Sequence, residues 1–187
     1  MTEPANGILN STANDILYKK LYHLGFIAYM VMLVFSILFF KERTILLDSA
    51  YTLFNIAKDS SFAINISRLG SLFTQVFPLL AVKAGGSVDA LMMSYSIGFI
   101  VFYLLGYVVC GSLLRRYDYA IALLLFHILF ASETFYYIPS ELPQGVTFLF
   151  VVFSLMPPGN ELKVQNKLRL TITAVCIVIA TFFHPMV

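Results

Sequence analysis

The chain has no tryptophan, two cysteines and only 12% charged residues among its 187. Soluble domains carry about a quarter charged residues, so the charge needed to cover a water-facing surface is missing and a soluble globular fold is excluded. Cys110 and Cys176 each lie inside an apolar run, where a thiol packs as a small hydrophobe, which argues against a disulfide scaffold. The net charge is only +2 and its basic residues are scattered, so a nucleic-acid partner is excluded as well. No Gly-rich phosphate loop, zinc-ligand spacing, nucleophile elbow or internal repeat is present. What is present is apolar: 59% hydrophobic residues, 18 Phe and 11 Tyr, with a mean hydropathy of +0.85. Long apolar runs separated by short charged clusters predict an all-α, polytopic transmembrane helical bundle whose partner is the lipid bilayer.

A bilayer core takes about 20 apolar residues of helix, and residues 21–40 supply them after a cytoplasmic stretch, 1–20. Further spans are expected over 91–114, 119–138, 142–156 and 170–187, which makes five in a single membrane domain. The last is still apolar at Val187, so the chain is expected to be part of a longer protein. Residues 69–82 are apolar but short, carry Gln75 and Pro78, and are bracketed by Arg68 and Lys83. They are expected to lie along the membrane boundary rather than to cross it. Lys19, Lys20, Arg115, Arg116, Lys163, Lys167 and Arg169 then all fall on one side, and basic loops mark the cytoplasm. The expected placement is multi-pass in an inner (plasma) membrane with a cytoplasmic N-terminus.

Residues 41–89 form the longest outer region in this topology. From Thr44 to Asp59 the polar residues Asp48, Tyr51 or Thr52, Asn55 and Asp59 recur three to four apart, opposite Leu46, Leu47, Ala50, Leu53, Phe54 and Ala57. That spacing predicts a helix lying on the membrane surface. A second surface helix is predicted over 64–82, with Arg68, Ser71 and Gln75 on one stripe. The outer turn 133–145 adds Glu133, Tyr136, Tyr137 and Glu141, and His184 joins them if the fifth span runs outward. Asp48, Arg68, Lys83, Glu133 and Glu141 thereby gather at one bilayer surface, and ionisable groups at membrane depth are functional-site candidates.

This order of features resembles the C-type superfamily of membrane glycosyltransferases. There too an N-in first span precedes a long outer loop with an early acid and juxtamembrane helices, followed by a second span ending in basic residues. Asp48 stands where the family's first-loop acid stands, the segment 67–80 where its loop ahead of the second span stands, and Glu141 where its acid before the fourth span stands. The resemblance implies an inverting transfer of sugar from a polyprenyl-phosphate donor at the outer face. Asp48 would be the base and Glu141 the second carboxylate. Arg68 and Lys83 would bind the donor phosphate, and Glu133, His184 and Tyr137 are secondary candidates. The Asp-x-Asp or Asp-Glu pair of some members is missing, which argues against a bound metal, so no cofactor is assigned and a divalent metal is only an optional one. The alternative is a non-enzymatic polytopic protein, a transporter half or an assembly subunit.

Overall fold

The computed structural model describes residues 5–64, 69–138, 141–156 and 166–181. The architecture is all-helical, with no strand among the described residues. In chain order the helices are α1 (Ala5–Leu38), α2 (Phe40–Thr44), α3 (Leu47–Asp59), α4 (Leu72–Lys83), α5 (Val88–Val108), α6 (Tyr117–Leu129), α7 (Glu141–Leu155) and α8 (Asn166–Thr181). A 3-10 turn, Leu69–Ser71, leads into α4, and π-helical turns extend α5 over Val109–Leu113 and follow α6 over Ser132–Tyr136.

Among the described residues two helical stretches are long and apolar enough to cross a membrane, Ile16–Leu38 and Val88–Leu113, while Leu72–Lys83, Tyr117–Leu129 and Leu142–Leu155 are apolar but shorter. The 119–138 segment is therefore not one straight helix: α6 stops at Leu129 and the chain widens into the π-helical turn. That turn is held by Thr134, whose hydroxyl donates to the carbonyls of His127 (2.6 Å) and Phe130 (3.0 Å). Those are among the carbonyls that a helix end leaves without an internal partner.

α1 and α5 run antiparallel. Lys41 Nζ reaches Asp89 Oδ1 at 3.6 Å at one end, and Tyr22 Oη pairs with Ser112 Oγ at 2.7 Å at the other. α6 returns alongside α1, and α7 runs down again, so that Arg116 Nη1 donates to the Met156 carbonyl at 3.4 Å. The bundle thus has a Lys41 end and an Arg116 end. Its interior is rich in phenols: Tyr22 and Tyr29 of α1 and Tyr95, Tyr103 and Tyr107 of α5 are all buried. Tyr107 donates to the Tyr22 carbonyl at 2.6 Å while the two rings stack at 4.9 Å. The outside is the apolar side, with Leu38 64% and Leu129 76% exposed.

Small residues set the helix separations. At Gly106 a Cβ would come within 2.5 Å of Thr147 Cγ2 on α7, and at Gly98 within 2.7 Å of the Phe77 ring on α4. The Gly98 contact explains a departure from the flat arrangement expected for 69–82. α4 doubles back through Gly85 (φ +72°) and stacks along the first half of α5, with Phe73 facing Phe102 at 5.9 Å. Its buried side is Thr74, Gln75, Pro78 and Leu79. Gln75 holds the preceding strand of chain by exchanging hydrogen bonds with the Ala63 backbone at 2.9 and 3.0 Å. α3 also differs in its facing. Ser49, Thr52, Leu53 and Ile56 turn inward, and Leu47, Tyr51 and Phe54 are exposed, so part of the apolar side looks outward.

Gly106→Val should destabilise the α5–α7 contact by about 1–3 kcal/mol, as overpacking does, read as a lowered unfolding midpoint in detergent. At the Arg116 end, the guanidinium beside Asp118 (3.0 Å) holds that carboxyl below its usual value. Because the folded value is depressed, the stabilisation is complete above the unfolded carboxylate value of about 3.9 and disappears as pH falls through the folded one. Asp118 is half exposed, so Asp118→Asn should cost under about 1 kcal/mol at pH 7 and nothing at low pH in the same assay.

Candidate functional site at the Lys41 end

Arg43, five residues beyond the end of α1, is the largest fully buried side chain among the described residues. Its Nε donates to the Phe135 carbonyl at 2.7 Å and its Nη1 to the Ser96 carbonyl at 2.8 Å and to Ser96 Oγ. The guanidinium carbon lies 4.3 Å from the Phe135 ring centre, a cation–π contact. Ser96 in turn donates to the Ser36 carbonyl at 2.7 Å. One side chain thereby ties α2 to α5 and to the π-helical turn after α6, with α1 joined through Ser96. No carboxylate among the described residues pairs with it, and its buried Nη2 has no hydrogen-bond acceptor. Burial lowers its pKa to about 10, with the phenols of Tyr103 and Tyr136 acting in the other direction. The group therefore stays charged at neutral pH.

Two residues beyond Phe135, Tyr137 donates from its hydroxyl to Asp48 Oδ2 at 2.9 Å. Asp48 lies in the first turn of α3, where a carboxylate also meets the helix dipole favourably. The acid of the first loop and the turn ahead of α7 are therefore in direct contact, 89 residues apart in sequence. Asp48 is exposed, as are Glu133 on the π-helical turn and Lys83 at the end of α4. Glu141 opens α7, and the 3-10 turn Leu69–Ser71 packs against that helix. The side chain of Glu141, and Arg68 and His184 altogether, lie outside the described residues.

Deeper in the bundle a chain of hydrogen bonds runs from Tyr29 Oη to His127 Nδ1 (2.6 Å) and from His127 Nε2 to Thr147 Oγ1 (3.0 Å). The Thr147 hydroxyl donates to the Pro143 carbonyl at 2.7 Å. It must then accept from Nε2–H, leaving Nδ1 to accept from Tyr29, so both ring nitrogens of a neutral imidazole are used. Tyr103 stacks on that ring at 4.2 Å. This chain joins α1, α6 and α7 and is closed on itself. One turn from Thr147 toward the Lys41 end, the buried Gln144 amide has neither a donor nor an acceptor satisfied.

Neither Arg43 nor Gln144 stands out in the sequence. An arginine just past an apolar run has the same pattern as one that snorkels to headgroups, and a lone glutamine near a helix start has none. No group of His, Cys, Asp and Glu among the described residues is arranged to hold a metal ion. The chain matches no protein-family model, no curated protein and no solved structure.

Ser96 joins Arg43 to α1, so Ser96→Ala should cost about 2 kcal/mol, the range for a hydrogen bond to a charged group. Ser94→Ala removes only a bond to the Leu91 carbonyl of its own helix and should change stability by less than about 0.5 kcal/mol. Unfolding of both variants in the same detergent gives the comparison.

Proposed function

We propose that the chain is a membrane part of an inverting glycosyltransferase that takes sugar from a polyprenyl-phosphate donor, with the Lys41 end facing outward. The reading rests on one observation above all: the exposed Asp48 carboxylate is held by the Tyr137 hydroxyl, which joins the first outer loop to the turn that precedes α7. Membrane embedding is supported by two long apolar helices and by the apolar outer surface. The five-span topology is supported by the pairing of Tyr22 with Ser112, which brings the Lys19-Lys20 and Arg115-Arg116 neighbourhoods to one end of the bundle, as a cytoplasmic face requires.

In this reaction an acceptor hydroxyl oxygen attacks the anomeric carbon, the bond to the phosphate oxygen breaks with its electron pair, and the proton passes to Asp48. Tyr137 donates to Oδ2 and so fixes the carboxylate plane, leaving Oδ1 to take the proton. Glu141 is the second carboxylate and Arg68 and Lys83 the donor-phosphate groups by the family resemblance. The rival reading, a transporter half or an assembly subunit, would draw on polar groups at mid-depth. The Tyr29–His127–Thr147 chain is at that depth, but its hydrogen bonds are spent on joining helices.

The test uses the full-length protein in membranes supplied with a radiolabelled polyprenyl-phosphate sugar. Asp48→Asn should lower transfer by at least about 100-fold, the scale of a lost general base, with unchanged expression and unfolding midpoint. Tyr137→Phe should retain partial transfer. Wild-type rates in Asp48→Asn would refute the assignment.

A further inference from the structure

We infer that Arg43 is the centre of a second binding site, one that takes a phosphate-class oxyanion at the Lys41 end of the bundle. The inference rests on the preceding reading only in naming which lipid would carry the phosphate; the site itself stands on the geometry of Arg43. A guanidinium has five N–H donors. Nε uses one on Phe135 and Nη1 directs two at Ser96, which leaves both hydrogens of Nη2 without an acceptor although that atom is buried. Buried charges are ordinarily paired, because an unpaired one loses its hydration without compensation. Among the described residues the neighbours supply carbonyls, a serine and aromatic rings, and none of these carries the balancing negative charge.

The location selects the ligand class. Tyr136, the residue after the Phe135 whose carbonyl Arg43 binds, is 56% exposed, so the chain that contacts the buried cation reaches the surface of the bundle at the next residue. Around that end Leu47, Tyr51 and Phe54 are exposed and apolar or amphipathic. A buried cation in a segment followed closely by exposed apolar side chains suits an amphiphile whose head is an oxyanion, and a guanidinium pairs well with phosphate oxygens. Two sources share this chemistry, a lipid-linked phosphate and free inorganic phosphate.

Arginine modification of the wild-type, full-length protein in detergent by phenylglyoxal, read by mass spectrometry, tests the site without any variant. The exposed Arg115 at the opposite end is the internal reference. Arg43 should be modified slowly, and farnesyl phosphate should slow it by about tenfold more, while Arg115 is unaffected. The same protection from inorganic phosphate would assign the site to the free anion, and protection by farnesyl phosphate alone would assign it to a lipid headgroup. Modification of Arg43 that neither compound changes, or an Arg43 that never reacts and is therefore closed to small molecules, would overturn the proposal. The readout is independent of sugar transfer. An Asp48→Asn protein that is inactive but still protected separates the two ideas, as would a wild-type enzyme that transfers sugar with Arg43 unprotected.

Discussion

The Lys41 end depends on a single buried cation. Arg43 reaches across from the short helix after α1 to a carbonyl of the π-helical turn and to Ser96 on α5. Three segments that are distant in sequence are thereby fixed against one another. The Phe135 carbonyl it satisfies belongs to a wide turn, where the regular helical ladder has ended and a carbonyl needs an outside donor. Two residues later Tyr137 meets Asp48, and Asp48 itself follows Arg43 by five residues. The Asp48–Tyr137 contact and the Arg43–Phe135 contact therefore join the same two stretches of chain twice, and together they limit how far the first loop can swing from the turn before α7.

Away from that end the helices are joined by polar contacts in the interior of the bundle. Tyrosines, serines, threonines and a histidine share the inside with leucine, isoleucine and phenylalanine, while the outside is largely apolar. Helices that lie in lipid gain little from burying leucine against leucine, so packing and hydrogen bonds between helices carry the association. Tyr107 on the Tyr22 carbonyl, Cys110 against Ser154 at 3.1 Å and His127 against Thr147 are bonds of this kind. Glycines give the room for two of them: Gly25 and Gly111 face the Tyr107 and Tyr22 side chains, and Gly106 faces Thr147.

Hydropathy made the helical class and the two longest apolar helices legible, because twenty apolar residues in a row leave few other options. The paired arrangement of Asp48 and Tyr137 was half legible: both residues were candidates at one surface, but nothing in the spacing told which would touch. The facing of α3 was read less well. An even split into polar and apolar sides assumes one flat boundary, whereas α3 has α4 on one side, which draws in Thr52 and Leu53 and leaves Leu47 and Phe54 outside. The position of α4 along α5 was hidden for a similar reason. It turns on a glycine facing one phenylalanine ring, a tertiary match that periodicity along either helix does not carry.

Arg43 was the least legible of all, because sequence gives a flanking arginine no sign of burial, and its energetics point beyond stability. An arginine in such a place loses its hydration and recovers it only in part from two carbonyls, a hydroxyl and a ring. Apolar side chains of similar volume often hold a buried position as well or better. Holding helices together is thus an incomplete account of a cation there, since Ser96 and Phe135 could be packed without one. A charge that is kept, ionised at neutral pH and short of an acceptor on Nη2, is better explained by what it can attract than by what it fastens. On that view the fastening bonds to Ser96 and Phe135 have a second effect: they hold the guanidinium still, so that an arriving oxyanion meets donors already in place.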